Sequence, residues 1–183
     1  MSEENLVRQC APTLAGIKTG TIFPVPFDTM AGLAAEIRNL NHILVPKGLR
    51  LLPLRYQGRK ALLYLYRPAG LKRDLQDHLA EALLAEAGYP KKGSEQCVAY
   101  LARRFRSGEG FPHEVGLFLS YPPQDVSGFI ENRAVNYKCA GLWKVYGDVE
   151  QAQRLFGRYR KCTDIYCELW RAGSGIGQLA VAV

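Results

Sequence analysis

Apolar side chains recur at three- and four-residue steps in four segments of the chain. These segments cover residues 28–44, 71–88, 94–108 and a long stripe that follows Asp148. This spacing places the apolar side chains on one face of an α-helix, and capping residues or Gly and Pro stop signals mark the ends. The pattern therefore predicts four amphipathic helices. A shorter helix is predicted after Pro122–Pro123, because proline needs no backbone donor in a first helical turn.

Two short apolar runs, residues 49–55 and 61–66, flank the polar turn Gln57–Gly58. Runs of this length around a glycine-containing turn are typical of a β-hairpin. Because Pro53 lacks a backbone N–H donor, we expect the first of these two strands to lie at the edge of a sheet.

Three further apolar runs predict strands over residues 111–120, 139–146 and 176–183. Together with the hairpin they indicate an α+β fold, with one mixed sheet of about four or five strands covered by amphipathic helices. A length of 183 residues is usual for one domain, so we expect residues 1–183 to form a single globular domain.

The composition is that of an ordinary globular protein, with 48% hydrophobic and 22% charged residues. Residues 1–5 lack the basic start and apolar run of a secretory signal, and nowhere do about 18 apolar residues run uninterrupted. We therefore expect a cytoplasmic protein that has no membrane partner.

The five cysteines have no regular spacing and lie mostly within apolar segments, which favours reduced core thiols over disulfides. Cys162 and Cys167 are five positions apart on one predicted helix, hence about 140° apart around its axis, and cannot chelate one ion together. The glycine-rich stretch 173–177 follows a helix and precedes a predicted strand, the reverse of a dinucleotide-binding loop. The sequence therefore indicates no metal and no cofactor.

The chain is basic, with 24 Lys and Arg against 17 Asp and Glu, a net charge of +7. This excess permits an anionic partner such as a small molecule or a nucleic acid. The cations are scattered, however, and the densest runs, 103–106 and 158–161, fall within predicted amphipathic helices. Such runs are typical of a solvated helix face.

Three segments of the chain are distinctive. Cys10–Lys18 reads CAPTLAGIK, Phe111–Val126 reads FPHEVGLFLSYPPQDV, and Trp143–Asp148 reads WKVYGD. In wording and order they resemble the bacterial family catalogued as domain of unknown function 3793, and the likeness covers nearly the whole chain. No activity is established for that family, so the resemblance implies no catalytic residue.

Cys10 is a candidate nucleophile, because a cysteine thiol becomes reactive when a helix N-terminus or an imidazole lowers its pKa. If Pro12 occupies a first helical turn, the thiol lies near the positive end of that helix. If instead the helix precedes Cys10 and ends there, the negative helix end raises the thiol pKa. Cys10 would then be a buried structural cysteine.

His113 is the candidate base for such a nucleophile, with Glu114 or Asp125 to orient its ring. The order Cys10, His113, Asp125 is that of papain-like thiol hydrolases, although chain order alone fixes no geometry. Alternatively, His113 bonds to nearby backbone or to Asp125 and only orients a turn. Lys18 is a candidate ligand-binding residue for an anion, or else a solvated lysine.

Three functional hypotheses stay open. The first is a small-molecule or peptide site that uses thiol and imidazole chemistry at Cys10 and His113. The second is a non-catalytic basic module that binds an anionic ligand or nucleic acid, with Tyr64, Tyr66 or Trp143 exposed. The third is an accessory domain that contacts a protein partner through an apolar patch.

Overall fold

A three-stranded antiparallel sheet separates two groups of helices. The computed structural model describes residues 2–91, 93–108 and 110–182. The sheet comprises β1 (Gly20–Pro26), β2 (Arg50–Gln57) and β3 (Lys60–Tyr66), in the order β1-β3-β2. Two short strands, β4 (Cys139–Ala140) and β5 (Lys144–Val145), form a separate antiparallel ribbon. The α+β class is confirmed, whereas the expected single mixed sheet of four or five strands is wrong.

The described helices precede, connect and follow these strands. They are α1 (Glu3–Leu14), α2 (Met30–Leu44), α3 (Pro68–Asp74), α4 (His78–Glu86), α5 (Ser94–Ser107), α6 (Val115–Phe118), α7 (Pro123–Glu131), α8 (Val149–Arg171) and α9 (Ile176–Leu179). Among these residues, no helix is both long and apolar enough to cross a membrane.

Strand β3 alternates its side chains between two hydrophobic clusters, as the two-residue period of a strand requires. Ala61, Leu63 and Leu65 face the first cluster, which α1, α2 and α9 complete. Tyr64 and Tyr66 face the second cluster, which α3 to α7 complete. A third cluster lies between the β4–β5 ribbon and the first half of α8.

The predicted hairpin is confirmed, and β2 lies at an edge of the sheet, as Pro53 indicated. The register shifts between Pro53 and Arg55, so β2 contains a bulge. The opposite edge strand, β1, was not predicted. Its sequence contains Pro24 and Pro26, which hide the strand pattern but are tolerated at a sheet edge.

Helices α2, α5, α7 and α8 confirm four of the predicted helices. The helix predicted over residues 71–88 is instead divided into α3 and α4. The division occurs because Asp77 caps the second helix, accepting from the backbone N–H groups of Leu79 and Ala80 at 2.9 and 3.1 Å.

The strand predicted over residues 111–120 is wrong, because this segment forms a turn and the short helix α6. All four residues of α6 are buried. Because a helix surrounded by protein needs no polar face, its sequence shows the same unbroken apolar run as a buried strand. Gly116 is required there, since a Cβ atom would lie 2.7 Å from the Val126 side chain.

The strand predicted over residues 176–183 is also wrong, since α9 occupies its first half and Val183 lies outside the described residues. The Gln178 side chain accepts from the Gly175 N–H at 2.9 Å and so supports a helical start. The segment predicted as one strand over residues 139–146 instead forms two short strands, β4 and β5, which pair with each other. Its turn contains Gly141, where a Cβ atom would lie 2.2 Å from the Phe156 ring.

Candidate functional site

A cleft of about 440 Å³ opens between the end of α1, the start of α3 and the turn after α6. The polar side chains of its wall come from three separate segments: Lys18, Thr19, Arg67, Arg73, Asp74 and Ser120. Three of these six residues are cations and one is an acid. The cleft therefore has an excess of positive charge, and the net charge of the whole protein is also positive.

The loop that carries Lys18 is held by backbone hydrogen bonds. The Pro12 carbonyl accepts from the N–H groups of Ile17 and Lys18, at 3.0 and 3.1 Å. Gly16 takes a φ of 77°, in the left-handed region that glycine adopts without strain. These contacts turn the chain sharply at the end of α1 and direct residues 17–19 along the cleft.

The Lys18 ammonium group lies among aromatic rings. Its Nζ atom is 5.6 Å from the centre of the Tyr121 ring and 6.0 Å from the centre of the Tyr159 ring. Both distances suit cation–π contacts. Within the part of the chain that the structure describes, no carboxylate oxygen lies within 4 Å of this nitrogen.

Burial changes the protonation of Lys18. Loss of solvent lowers the pKa of its amine from 10.5 to about 8, and an opposing interaction with Cys10 offsets only part of this effect. At neutral pH the group is therefore a poorly solvated cation, and it exchanges its proton near pH 8.

Arg67 is buried and donates to four backbone carbonyls. Nε donates to the Thr13 carbonyl at 2.8 Å, and Nη2 donates to those of Leu14 and Val181 at 2.7 and 2.8 Å. Nη1 donates to the Lys47 carbonyl at 3.3 Å. Burial lowers the pKa of this guanidinium, which nevertheless stays charged. The carbonyls at the end of α1 offset its charge, because a helix C-terminus is negative.

Ser120 joins two walls of the cleft. Its hydroxyl accepts from the Thr19 N–H at 2.8 Å and donates to Oδ2 of Asp74 at 3.2 Å. The residue has a φ of 58°, a left-handed conformation that few residues with a side chain adopt. Strained positions of this kind persist where their surroundings fix them, and here the two hydrogen bonds do so.

Cys10 lies in the middle of α1 with no exposed surface, packed in the first cluster with Leu6, Val7 and Leu14. Burial raises the pKa of its thiol far above the ordinary value. The expectation that Pro12 begins a helix is wrong, because Pro12 lies inside α1. Cys10 is a core thiol in this fold, and the structure gives a nucleophilic role no support.

His113 is exposed in the turn before α6. Its ring centre lies 5.7 Å from that of Phe111 and 5.2 Å from that of Phe129. The imidazole therefore lies beside two aromatic rings at the surface, whereas the Cys10 sulfur is enclosed. The structure therefore does not bring His113 and Cys10 to one solvent-reachable site.

Glu114 is buried and pairs with two side chains. Its Oε1 accepts from the Tyr89 hydroxyl at 2.9 Å and lies 3.7 Å from Nη2 of Arg104. Both contacts stabilise a carboxylate within the protein. Glu114 thus holds α5 near α6 and does not orient His113.

Asp125 is also buried, at the start of α7, and both of its oxygens accept hydrogen bonds. Oδ2 accepts from the Trp143 indole at 2.7 Å, and Oδ1 accepts from the backbone N–H groups of Tyr146 and Gly147 at 2.8 and 2.7 Å. Asp125 therefore joins α7 to the β4–β5 ribbon. None of these three donors is His113, so these contacts give Asp125 a structural role.

The cleft thus contains one residue of the predicted site, Lys18, together with Arg67, Asp74 and Ser120, which the sequence did not single out. No local signal identifies Ser120, whose partner Thr19 is 101 residues away along the chain. In the sequence, Arg67 lies between an apolar run and Pro68. That position does not by itself indicate a buried cation, so the role of Arg67 is visible only in the folded chain.

The aromatic residues expected at the surface are buried. Tyr64, Tyr66 and Trp143 are 0%, 3% and 8% exposed, so the prediction that they lie open to a ligand is wrong. The Tyr64 hydroxyl donates to the Phe118 carbonyl at 2.7 Å, so this buried polar group has a hydrogen-bond partner. All five cysteines are free, and no three His, Cys, Asp or Glu residues within 2–91, 93–108 and 110–182 are grouped to hold a metal.

A second cavity of about 490 Å³ lies between α4 and α5. Cys97 forms part of its wall, and the thiol donates to the Pro90 carbonyl at 3.5 Å. The charged residues of this cavity, such as Lys72 and Glu81, are exposed at its rim and of both signs. It lacks the desolvated, unpaired amine that distinguishes the cleft around Lys18.

The fold and the cleft define an α+β protein with helices on both faces of a three-stranded antiparallel sheet and a basic cleft beside the first helix. The chain belongs to the family described as protein of unknown function DUF3793, whose family model matches residues 6–180. Searches of curated proteins and of solved structures return no significant match.

Proposed function

We propose that the cleft around Lys18 binds a small anionic ligand, such as a carboxylate or a phosphate. The observation that carries this proposal is the Lys18 ammonium, which borders the cleft without a carboxylate partner among the described residues. A poorly solvated cation gains much from an added anion, because Coulomb attraction is strong where water is partly excluded.

The other charges of the cleft support the same conclusion. Arg73 is exposed at the end of α3, and its planar guanidinium can pair with a carboxylate or phosphate through two parallel hydrogen bonds. Arg67 is a third cation in the wall of the cleft, although its guanidinium donates to backbone carbonyls. Among the described residues that line the cleft, Asp74 is the one acid, and its carboxylate accepts a hydrogen bond from Ser120.

The size of the cleft favours a small molecule over nucleic acid. Its volume of about 440 Å³ is in the range of ligand pockets. Single-stranded nucleic acid is usually held by exposed aromatic rings, and Tyr64, Tyr66 and Trp143 are buried. The thiol chemistry first expected at Cys10 has less support, since its sulfur has no exposed surface.

The proposal is tested by thermal unfolding with inorganic phosphate at pH 7 and low salt. We expect a dissociation constant of about 1 mM, so that phosphate at about ten times this value stabilises the protein by about 1.4 kcal/mol. For a domain of this length the corresponding rise in Tm is about 3–6 °C. A higher salt concentration should reduce this rise.

Two variants make the test specific. Lys18→Met should abolish the stabilisation by phosphate, whereas Lys161→Met, on the exposed face of α8, should retain it. Equal stabilisation of the native protein and the Lys18 variant would refute a phosphate site at this amine.

A further inference from the structure

We propose that the amine of Lys18 forms a reversible imine with an aldehyde or ketone group of the anionic ligand. This inference rests on the proposed function, because the same cleft must first hold the anion. It adds a covalent step and narrows the ligand to carbonyl compounds that also carry a negative charge, such as 2-oxo acids.

The position of Lys18 supports this step. The amine borders an open cleft, so a ligand can reach it, and the faces of Tyr121 and Tyr159 lie beside it in place of water. No described carboxylate fixes it as an ammonium ion. A lysine in such surroundings is an effective nucleophile, since the neutral amine attacks carbonyl groups.

The reaction balances without an oxidant or reductant. The neutral amine nitrogen attacks the carbonyl carbon and forms a C–N bond, and the carbonyl oxygen takes up a proton. The nitrogen releases one proton, which gives a neutral carbinolamine. Its hydroxyl oxygen then takes up a second proton, the C–O bond breaks as the C=N bond forms, and one molecule of water leaves. Loss of the remaining N–H proton completes the imine. The Ser120 hydroxyl and the Asp74 carboxylate form a hydrogen-bonded pair in the same cleft, which can donate and accept these protons.

The groups that face the amine have defined charges. Cys10 on α1 is neutral, because burial raises its thiol pKa, and burial likewise raises the pKa of Tyr121 and of Tyr159 on α8. From α3 and its start come the cations Arg67 and Arg73 and the acid Asp74. The exposed Arg73 can pair with a ligand carboxylate, while the amine is the group that changes its protonation near pH 8.

Reductive trapping with glyoxylate tests the inference. Glyoxylate has an aldehyde next to a carboxylate, and cyanoborohydride converts any imine into a stable secondary amine. At pH 8, peptide mass spectrometry should find Lys18 labelled at least about tenfold faster than Lys161, since half of a group with a pKa near 8 is neutral there. Labelling of Lys18 no faster than Lys161 would overturn the inference.

Two reagents test the anionic part of the ligand. Oxalate has the same carboxylate but no aldehyde, and it should slow the labelling of Lys18 without affecting Lys161. Glycolaldehyde has the aldehyde but no carboxylate, and it should show a smaller preference for Lys18. If oxalate fails to compete and glycolaldehyde labels equally well, the assigned ligand class is wrong.

The variant Lys18→Arg separates this inference from the proposed function. Arginine keeps the positive charge but cannot form the imine, so the variant should retain phosphate stabilisation and lose the labelled site. Phosphate binding without preferential labelling of Lys18 in the native protein would refute the imine alone. If the native protein binds neither phosphate nor oxalate, the anion site itself is refuted.

Discussion

The guanidinium of Arg67 donates to the Leu14 carbonyl at 2.7 Å, which joins the last turn of α1 to the residue that precedes α3. The same side chain also reaches carbonyls near residues 47 and 181. No carboxylate within the described ranges 2–91, 93–108 and 110–182 lies within 4 Å of it. Arg67 thus lines the cleft as a buried cation whose hydrogen-bond partners are backbone carbonyls.

Replacing Arg67 with methionine should therefore destabilise the fold strongly. The change leaves buried carbonyls without donors, and we expect the free energy of unfolding to fall by about 3 kcal/mol or more. Urea unfolding measures this difference. Arg73→Met on the exposed side of α3 is the matched control, with an expected change within about 0.5 kcal/mol. A loss below about 1 kcal/mol for Arg67→Met would contradict the structural role.

The lowered pKa of Lys18 predicts how stability depends on pH. Between pH 8 and 10.5 the unfolded chain binds more protons at this residue than the folded protein does, so its contribution to stability rises with pH in that window. Below pH 8 the folded protein bears the full cost of the buried charge. Lys18→Met removes that cost.

At pH 7 the Lys18→Met variant should consequently be more stable than the native protein, by about 1–3 kcal/mol, because a shift of one pKa unit corresponds to 1.36 kcal/mol and partial exposure weakens the effect. The advantage should decline through pH 8–10.5. Cys10, Tyr121 and Tyr159 face the amine and are present in both proteins, so their titration largely cancels in the difference. A difference that stays constant from pH 7 to 10.5 would rule out the shifted amine.

Native-state thiol labelling tests whether Cys10 is enclosed. With a disulfide reagent such as DTNB, we expect Cys10 to react only after unfolding, because its sulfur is inaccessible and its pKa is raised. Cys167 on α8 is partly exposed and serves as the internal comparison. Reaction of Cys10 in the folded protein at the rate of Cys167 would revive the thiol hypothesis.

Asp125 should matter to stability and not to anion binding. Asp125→Asn weakens the charge-assisted bonds to the Trp143 indole and to two backbone N–H groups, so we expect a loss of about 2 kcal/mol and a change in tryptophan fluorescence. Asp164→Asn, exposed on α8, should change neither. Lost phosphate stabilisation in a folded Asp125 variant would show that this carboxylate belongs to the ligand site after all.

Local sequence patterns predicted the elements that have their own boundary signals. The α5 and α8 segments follow a clear 3.6-residue period, and the Asp148 side chain caps α8 as expected, accepting from the Gln151 N–H at 2.9 Å. Strand β1 escaped prediction because Pro24 and Pro26 interrupt it. The α6 segment has the apolar pattern of a strand, because burial on all sides removes the periodicity that distinguishes a helix from a strand.

The cleft could not be predicted in the same way, because it depends on contacts between distant segments. Lys18 was chosen as a candidate, but the features that make it unusual are Tyr121 and Tyr159, which approach only in the folded chain. The Cys10, Asp125 and Glu114 predictions rested on chemical type, chain order and position along the sequence. Burial, which decides the roles of all three, is a property of the tertiary structure.

The most direct test of the account is calorimetric titration of the protein with oxalate between pH 7 and 9.5. Oxalate keeps both negative charges over this range, and burial keeps Cys10, Tyr121 and Tyr159 neutral, so Lys18 is the group expected to change the affinity. We predict a nearly constant affinity up to about pH 7.5 and then a fall approaching tenfold per pH unit above pH 8, absent in Lys18→Met. Oxalate binding that is independent of pH, or equal in Lys18→Met, would contradict the assignment of the cleft as an anion site built around this amine.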